Sequence, residues 1–545
     1  MAYVSFEFLL FLAVLFSIYY IPVLKKYQWV ILLVFSVLFY CKAGVVFMVF
    51  IGGATLVTYL GSLILQRLVD SEKAEKNALG KGNREEKKKI HQKYEIRIRL
   101  VMALFLVLVL GALVYIKYAN LTLVIVNKIM NALTPGSGAF GFIYMIVPLG
   151  ISFYSFQAAG YLIDVARGTV RAEKNIFKTF LFLIFFPQIV QGPISRFDQL
   201  SEGLFASHDF DFIKFKYGLE LVIWGYFKKC IIADRAVIVL DTIMKDYTAY
   251  SGAANLFAVL IYALQLYADF SGGIDITRGV AEALGIDMID NFRRPYFSQS
   301  INEYWTRWHI SLGGWMKNYI FYPLSISKGM EKIKKGIKNS GFGQTAYGKH
   351  VSNVIPGCIS TIVIFIIIGM WHGAEGKYIG FGLWNGIVMA ISLLLTPVYE
   401  ITRQKLHLKD TNPFFILFRI LRTMVIILIG YVFDIAPSLK GSFDMMRRMV
   451  FESDFPRFIG EEFMTLFGTS EKQTLLDYRV LLAASIVLLI ASIIQEKTGR
   501  NIREMLDEKH YVIQAALVFL GIMLTLIFGI YGPGYDVKGF VYMQF

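Results

Sequence analysis

Apolar runs of bilayer-spanning length recur from one end of this chain to the other, and no other feature restricts its folding as much. A helix needs roughly 20 apolar residues to cross the hydrocarbon core. Such runs cover residues 8–24, 45–65, 100–116, 140–163, 354–371, 378–395, 414–433, 480–494 and 511–530. Shorter or interrupted ones lie at 29–40, 121–133, 177–190, 219–232 and 256–270. The pattern predicts an all-α fold, a polytopic transmembrane bundle with re-entrant or interfacial helices and about ten to thirteen membrane segments. Composition agrees, because 56% hydrophobic and 17% charged residues with a mean hydropathy of +0.55 do not describe a soluble domain. The first run has no basic leader, carries Glu7 and is followed by no small-residue cleavage pattern, so it is expected to be a permanent span.

Net charge of +15 and a pI near 9.3 raise the question of nucleic acid. In a chain of this kind, cytoplasmic loops obeying the positive-inside rule account for the charge better, and no nucleic-acid partner is expected. The segment 67–99, with Lys87, Lys88 and Lys89, reads as a solvated helix or disordered stretch on the inner face. Segments 328–349, 403–409 and 497–509 belong on the same side, and the acidic loop 434–477 on the other. This alternation predicts a multi-pass plasma-membrane protein with both termini extracytoplasmic. Three regions follow: N-terminal helices over 1–140, a core over 141–400, and C-terminal helices over 401–545 ending in a tail at 531–545. Cys41, Cys230 and Cys358 lie in or beside apolar runs without metal-site spacing, so they read as packing residues, and no metal is expected.

Polar groups at membrane depth cost several kcal/mol unless paired or hydrated, which makes them functional candidates. His372 in Met370-Trp371-His372-Gly373 falls near the outer end of its span. Trp371 can wall a cavity there, and Gly373 allows close backbone approach. An imidazole at that point suits a general base, and equally a structural histidine bonded to a nearby carbonyl. His309 sits among Trp305, Trp308, Trp315, Tyr304 and Tyr319, which also fit an interfacial aromatic belt. Arg293, Arg294, Arg307 and Lys317 place that segment at the cytoplasmic interface, so the two histidines are expected to approach the membrane core from opposite sides. Asp269 reads as a helix cap, an ion-pair partner or a lining group.

Several blocks occur in order: Pro148-Leu-Gly-Ile-Ser-Phe-Tyr154, Phe185-Phe-Pro-Gln-Ile-Val-Gln-Gly-Pro193, Phe227-Lys-Lys-Cys-Ile-Ile-Ala-Asp234, Gln265-Leu-Tyr-Ala-Asp-Phe-Ser-Gly272, Asn291-Phe-Arg-Arg-Pro-Tyr296, Tyr304-Trp-Thr-Arg-Trp-His-Ile-Ser-Leu312 and Trp371-His-Gly373. Together they resemble the bacterial branch of the membrane-bound O-acyltransferases (MBOAT), nearest to alginate O-acetylases and more distantly to D-alanyl transferases of teichoic acid. The resemblance implies that His372 is the family's essential histidine and His309 its second, motif-defining one. It implies an acyl group, acetyl before D-alanyl, brought to the cytoplasmic side as acetyl-CoA or an acyl carrier protein thioester, with no bound cofactor. Delivery would run through a tunnel between the histidines to an extracytoplasmic glycan, with a separate extracytoplasmic transferase of SGNH type as partner. Residues implied to line the tunnel or position the donor are Trp305, Arg307, Trp308, Trp371, Asp269, Ser271, Gln188, Lys317 and Asn318. The four cations at the inner mouth are expected to attract a polyanionic donor.

Two departures stand out. Where the family has Trp-Leu-Arg-Asp-Tyr, this chain has Trp315-Met-Lys-Asn-Tyr319, which removes a bidentate donor and its anionic partner. The Lys-rich stretch before Lys349 is also long, as a solvated loop or a carrier-docking site. The terminus Gly539-Phe-Val-Tyr-Met-Gln-Phe545 resembles that of alginate O-acetylase relatives. It makes Tyr542 a candidate acyl relay, a wall of the acceptor mouth, or an interfacial anchor. A secondary transporter and a non-catalytic scaffold are the rivals from other classes; the chain shows no convincing internal repeat of the kind transporters carry.

Overall fold

The computed structural model describes residues 3–80, 82–134, 139–143, 147–467 and 475–531. The described residues are mostly helical, with a single isolated bridge, Phe292 to Trp308, in place of any strand. Nine helical segments among them are long and apolar enough to cross a membrane, fewer than the ten to thirteen expected. The chain is a multi-pass membrane protein. The difference in count has several causes. Runs 100–116 and 121–133 are one continuous helix, and 177–190 breaks into short pieces, whereas 219–232 lies in a continuous helical stretch that is π-wound in its middle. The runs 8–24 and 140–163 fall short because their helices have only 14 and 16 residues.

The chain divides into two compact units, residues 1–219 with 277–289, and residues 220–276 with 290–545. In the first unit, α1 (Phe6–Tyr19) and α2 (Gln28–Cys41) carry an aromatic cluster in which Phe8, Phe11 and Phe39 surround Phe186. Next come α3 (Phe47–Ala78), α4 (Arg84–Leu133) and α5 (Ile151–Ala166), which pack against one another. At 50 residues α4 is about 75 Å long, more than twice the thickness of a hydrocarbon core. Of the two alternatives for the basic segment 67–99, the solvated helix is the one observed, as the projecting ends of α3 and α4. Its charges pair across the two helices, His91 Nδ1 with Glu72 at 2.8 Å and Lys93 with Glu75 at 3.7 Å. Gly150 opens α5 at φ +69°, where a Cβ would stand 2.2 Å from the Ile189 carbonyl oxygen, so no side chain fits there.

The second unit is built on α6 (Gly252–Ala283, through Ile276), the short helices α7 (Ile301–Arg307) and α8 (Ile310–Met316), and the surface helix α9 (Lys328–Asn339). Then come α10 (Ala346–His372), α11 (Gly376–Leu394), α12 (Pro413–Ile435), α13 (Leu475–Thr498) and α14 (Tyr511–Phe528). α9 carries the Lys-rich stretch and buries none of its residues, as a solvated helix would. α10 and α11 form an antiparallel pair held at backbone contact. A Cβ on Gly369 would lie 2.2 Å from the Tyr378 carbonyl oxygen, and one on Gly382 2.3 Å from that of Phe365. Gly382 and Gly386 form a small-xxx-small face, the device that lets helices meet closely where lipid offers no hydrophobic drive. The histidine at the end of α10 is thus fixed to a rigid two-helix frame.

Candidate active site

Both motif histidines face one elongated cavity in the second unit, with a volume of about 440 Å³. On α10 its wall is the stripe Thr361, Ile364, Phe365, Ile368 and His372, spaced as one helical face. From Thr361 to His372 that stripe rises about 17 Å, more than half of a hydrocarbon core. Lys317, Phe321, Met389 and Leu393 line the Thr361 end, where the Phe321 ring approaches Gly357; Phe381 lies at the His372 end. The lining is mostly apolar, so the few polar groups stand out.

His372 is the last residue of α10, half-buried, its ring 5.2 Å from Trp371, 5.4 Å from Phe381 and 6.3 Å from Tyr378. The Tyr378 ring lies directly on Gly373, where a Cβ would come within 2.4 Å of it. The close approach expected at Gly373 is therefore made by a ring that also stacks beside His372.

His309 is 3% exposed and sits between α7 and α8, outside the spanning helices, at φ +46°. A left-handed non-glycine residue costs about 1–3 kcal/mol and persists only where its surroundings hold it. Here Asn291 does so: its Oδ1 accepts from Ser311 N at 3.0 Å and Ser311 Oγ at 2.9 Å, and His309 Nδ1 lies 3.2 Å away. Its carbonyl oxygen also accepts from Ile310 N at 3.0 Å. With Nδ1 the protonated nitrogen, Nε2 is the basic one. Phe270 stands edge-on behind the ring at 4.8 Å, and Trp371 lies 6.4 Å away on the other side. Burial, and secondarily the neighbouring His372, hold the His309 imidazole far below its ordinary pKa, at about 3, so it is neutral at physiological pH. The two histidines meet at one cavity.

The aromatic residues around His309 are not an interfacial belt. Tyr304, Trp308, Trp315 and Tyr319 are buried inside the unit, and Trp305 packs on Phe365 at 4.8 Å. Trp305, Trp308 and Lys317 line the cavity; Trp371 backs it by touching both imidazoles, and Asn318 follows Lys317 in the same turn.

Other expectations need correction. Arg294 and Arg307 converge on Glu496, at 2.6 and 2.8 Å, and Arg307 also meets Glu303 at 2.6 Å. Neither is left as an open positive charge for an anionic donor, and Arg307 is not among the lining residues. Arg293 is exposed and lies 3.4 Å from Asp290. Lys317 alone among the four lines the cavity.

Asp269 and Ser271 also stand behind the wall, not on it. Lys229 Nζ bonds Asp269 at 2.6 Å and Asp234 at 2.8 Å, and all three side chains are under 5% exposed. Lys228 bonds Ser271 Oγ at 2.9 Å and Asp275 at 2.7 Å. Of the alternatives for Asp269, the ion pair is the one observed. Between Asp269 and Ser271 stands Phe270, the ring that braces His309, so this network positions the wall. Gln188 lies buried in the first unit, and Tyr542 lies outside the described residues. Sequence reasoning missed Asn291 as the partner of His309, and Tyr431 and Asp434 on α12 as lining residues. The signal for the last two was present as polar groups at i and i+3 directly after the apolar stretch 424–430.

The model of the MBOAT, membrane-bound O-acyltransferase family, matches residues 169–337. A probable alginate O-acetylase of Pseudomonas putida is 32% identical over 387 residues, 71% of this chain and 69% of the relative. One from Pseudomonas syringae is 34% identical over 277 residues, 51% of this chain, and the match spans about half of that relative, 48%. A peptidoglycan O-acetyltransferase of Helicobacter pylori is 27% identical over 379 residues, 65% of each chain. With the P. putida relative covered over more than two thirds of its length, and with the two histidines of the ordered motifs on one cavity, the chain belongs to the membrane-bound O-acyltransferase family.

Proposed function

We propose that this protein moves a short acyl group, acetyl first among them, from a cytoplasmic thioester to a hydroxyl of an extracytoplasmic envelope glycan. One observation carries the reading: His372, His309 and Lys317 border the same mostly apolar cavity of about 440 Å³. Acetyl-CoA or an acyl carrier protein thioester is the donor, entering at the Lys317 end, where an ammonium group meets its anionic portion. His372 Nε2 or Nδ1 takes the proton of the acceptor hydroxyl as its oxygen attacks the thioester carbonyl carbon. The C–S bond then breaks and the thiolate leaves with the proton returned by the imidazolium, so charge and protons balance. Positioned base catalysis is worth about 10²–10⁴-fold. The apolar wall keeps water from the thioester, which favours transfer over hydrolysis. His309, neutral and clamped by Asn291, fixes the donor carbonyl or the wall geometry.

The positive-inside pattern supports an orientation with both termini outside and the basic ends of α3 and α4 in the cytoplasm. On the outer side the reading includes a partner transferase of SGNH type and Tyr542 at the acceptor mouth or as a transient aryl ester. Mass spectrometry of envelope glycans from cells with and without the protein tests the reading. Ester-linked acetyl groups that appear with the wild type and not with His372→Ala support it; D-alanyl esters instead would replace the acyl group, and unchanged glycans would refute it.

A further inference from the structure

One helix of the second unit suits neither bulk water nor the protein interior. α9 carries Lys328, Lys332, Lys334, Lys335 and Lys338, with Glu331 as its one carboxylate. Glu331 pairs with Lys335 at 2.7 Å, and the other four lysines form no ion pair with a described residue. Along another side Met330, Ile333 and Ile337 fall at i, i+3 and i+7, a single apolar stripe. Packing covers the stripe only in part: Ile333 is 41% exposed, and Ile326 and Phe342, which flank the helix, are 80% and 49% exposed. The mounting is tight. Ser327 Oγ accepts from Met330 N at 3.4 Å to cap the helix. After the helix the chain turns so closely that a Cβ on Gly343 would overlap the Ile337 carbonyl, and one on Gly348 the Phe342 carbonyl. α9 thus packs against α10, whose first turns, 346–353, are polar before the helix becomes apolar enough to enter a bilayer.

We propose that α9 docks on the membrane surface: its apolar stripe enters the outer part of the acyl region, and Lys328, Lys332, Lys334 and Lys338 hold anionic phospholipid headgroups. A basic helix with an apolar row fits the boundary between hydrocarbon and headgroups, where the row leaves water and the ammonium groups meet phosphate. Its place beside the start of a spanning helix favours the leaflet over a soluble acidic protein as the occupant. The contact ties to the leaflet the chain that leads, seven residues before Lys328, to Phe321 on the cavity wall. None of this depends on acyl transfer, so it stands or falls apart from that reading.

The test uses the full chain in nanodiscs of phosphatidylcholine and phosphatidylglycerol in equal parts. A Cys41→Ala background leaves only the buried Cys230 and Cys358 beside an introduced cysteine. A nitroxide on Ile333→Cys should collide mainly with dissolved oxygen, which concentrates in the bilayer. One on Lys335→Cys, on the other side of the helix, should collide mainly with an aqueous nickel chelate. Native mass spectrometry of the protein released from the same nanodiscs should find phosphatidylglycerol retained over phosphatidylcholine. A lysine near an anionic surface is worth about fivefold in association. The variant Lys328→Gln/Lys332→Gln/Lys334→Gln/Lys338→Gln, which changes only surface residues, should therefore lower that preference about tenfold or more. A label at Ile333 as open to the chelate as the one at Lys335 overturns the proposal, and is the result for a helix that stands in water to meet a soluble partner. A wild-type preference for phosphatidylglycerol in the quadruple variant overturns it as well.

Discussion

Lys229→Met should be among the most damaging single substitutions in the second unit, and the buried charges say why. Lys229 is 2% exposed and bonds two carboxylates, Asp234 at 2.8 Å and Asp269 at 2.6 Å, themselves 4% and 1% exposed. Removing the ammonium leaves two anions together in a low-dielectric interior, and breaking a buried pair by deleting one partner costs about 3–5 kcal/mol. Deleting one carboxylate is milder. Asp269→Leu leaves Lys229 paired with Asp234, and the loss approaches that of one charge-assisted hydrogen bond, about 1.5–3 kcal/mol. The expected order is therefore Lys229→Met worst, Asp269→Leu intermediate, and the triple variant Lys229→Met/Asp234→Asn/Asp269→Leu near wild type, since apolar replacement of a whole buried cluster is often neutral. Equilibrium unfolding in mixed detergent micelles, followed by tryptophan fluorescence, reads this order. A Lys229→Met protein within 1 kcal/mol of wild type, or a triple variant no better than the single, would refute the reasoning.

Asn291 and the pH response give two further outcomes. Asn291→Leu removes the oxygen that accepts from Ser311 and meets His309, so transfer should fall about tenfold or more while Asn291→Asp, which keeps an acceptor, retains most of it; equal activity of the Leu variant would contradict the clamp. His309 is held neutral in the folded protein with its pKa lowered to about 3, whereas in the unfolded chain it takes up a proton near pH ~6.5. Its contribution to stability is then fully present above pH ~6.5 and is lost progressively as pH falls toward 3. His309→Gln should flatten that part of the stability profile, and an unchanged slope between pH 7.5 and 5 would count against a neutral buried imidazole.

The legible and illegible parts of this molecule divide along physical lines. Hydropathy is local and cumulative, so α11 to α14 are each readable to within a few residues, and α10 at its His372 end but not at its polar start, Ala346. His372 could be placed at a helix end for the same reason. Polar interruptions misled. Lys117 and Asn120 break the hydropathy of 100–133 without breaking the helix, because the backbone continues its own hydrogen bonds whatever the side chains do. Pairing of buried charges was invisible, since Arg294 and Glu496 are 202 residues apart and only folding brings them together. Basic residues near a motif therefore looked like an anion funnel when two of them are internal counter-ions. Likewise Asp269 and Ser271 carried the right motif, yet their contacts point to Lys229 and Lys228, and Phe270 between them is the residue that touches His309.

The most direct test of the central claim is transfer in proteoliposomes holding the purified chain. A labelled acyl thioester is added on one side, and thioester loss and ester gain on a glycan acceptor are followed together. Wild type should pass label to the acceptor with the two rates matched, and His372→Ala should lower that transfer about 10²–10⁴-fold while leaving the unfolding midpoint unchanged. Transfer by His372→Ala at the wild-type rate would contradict the account.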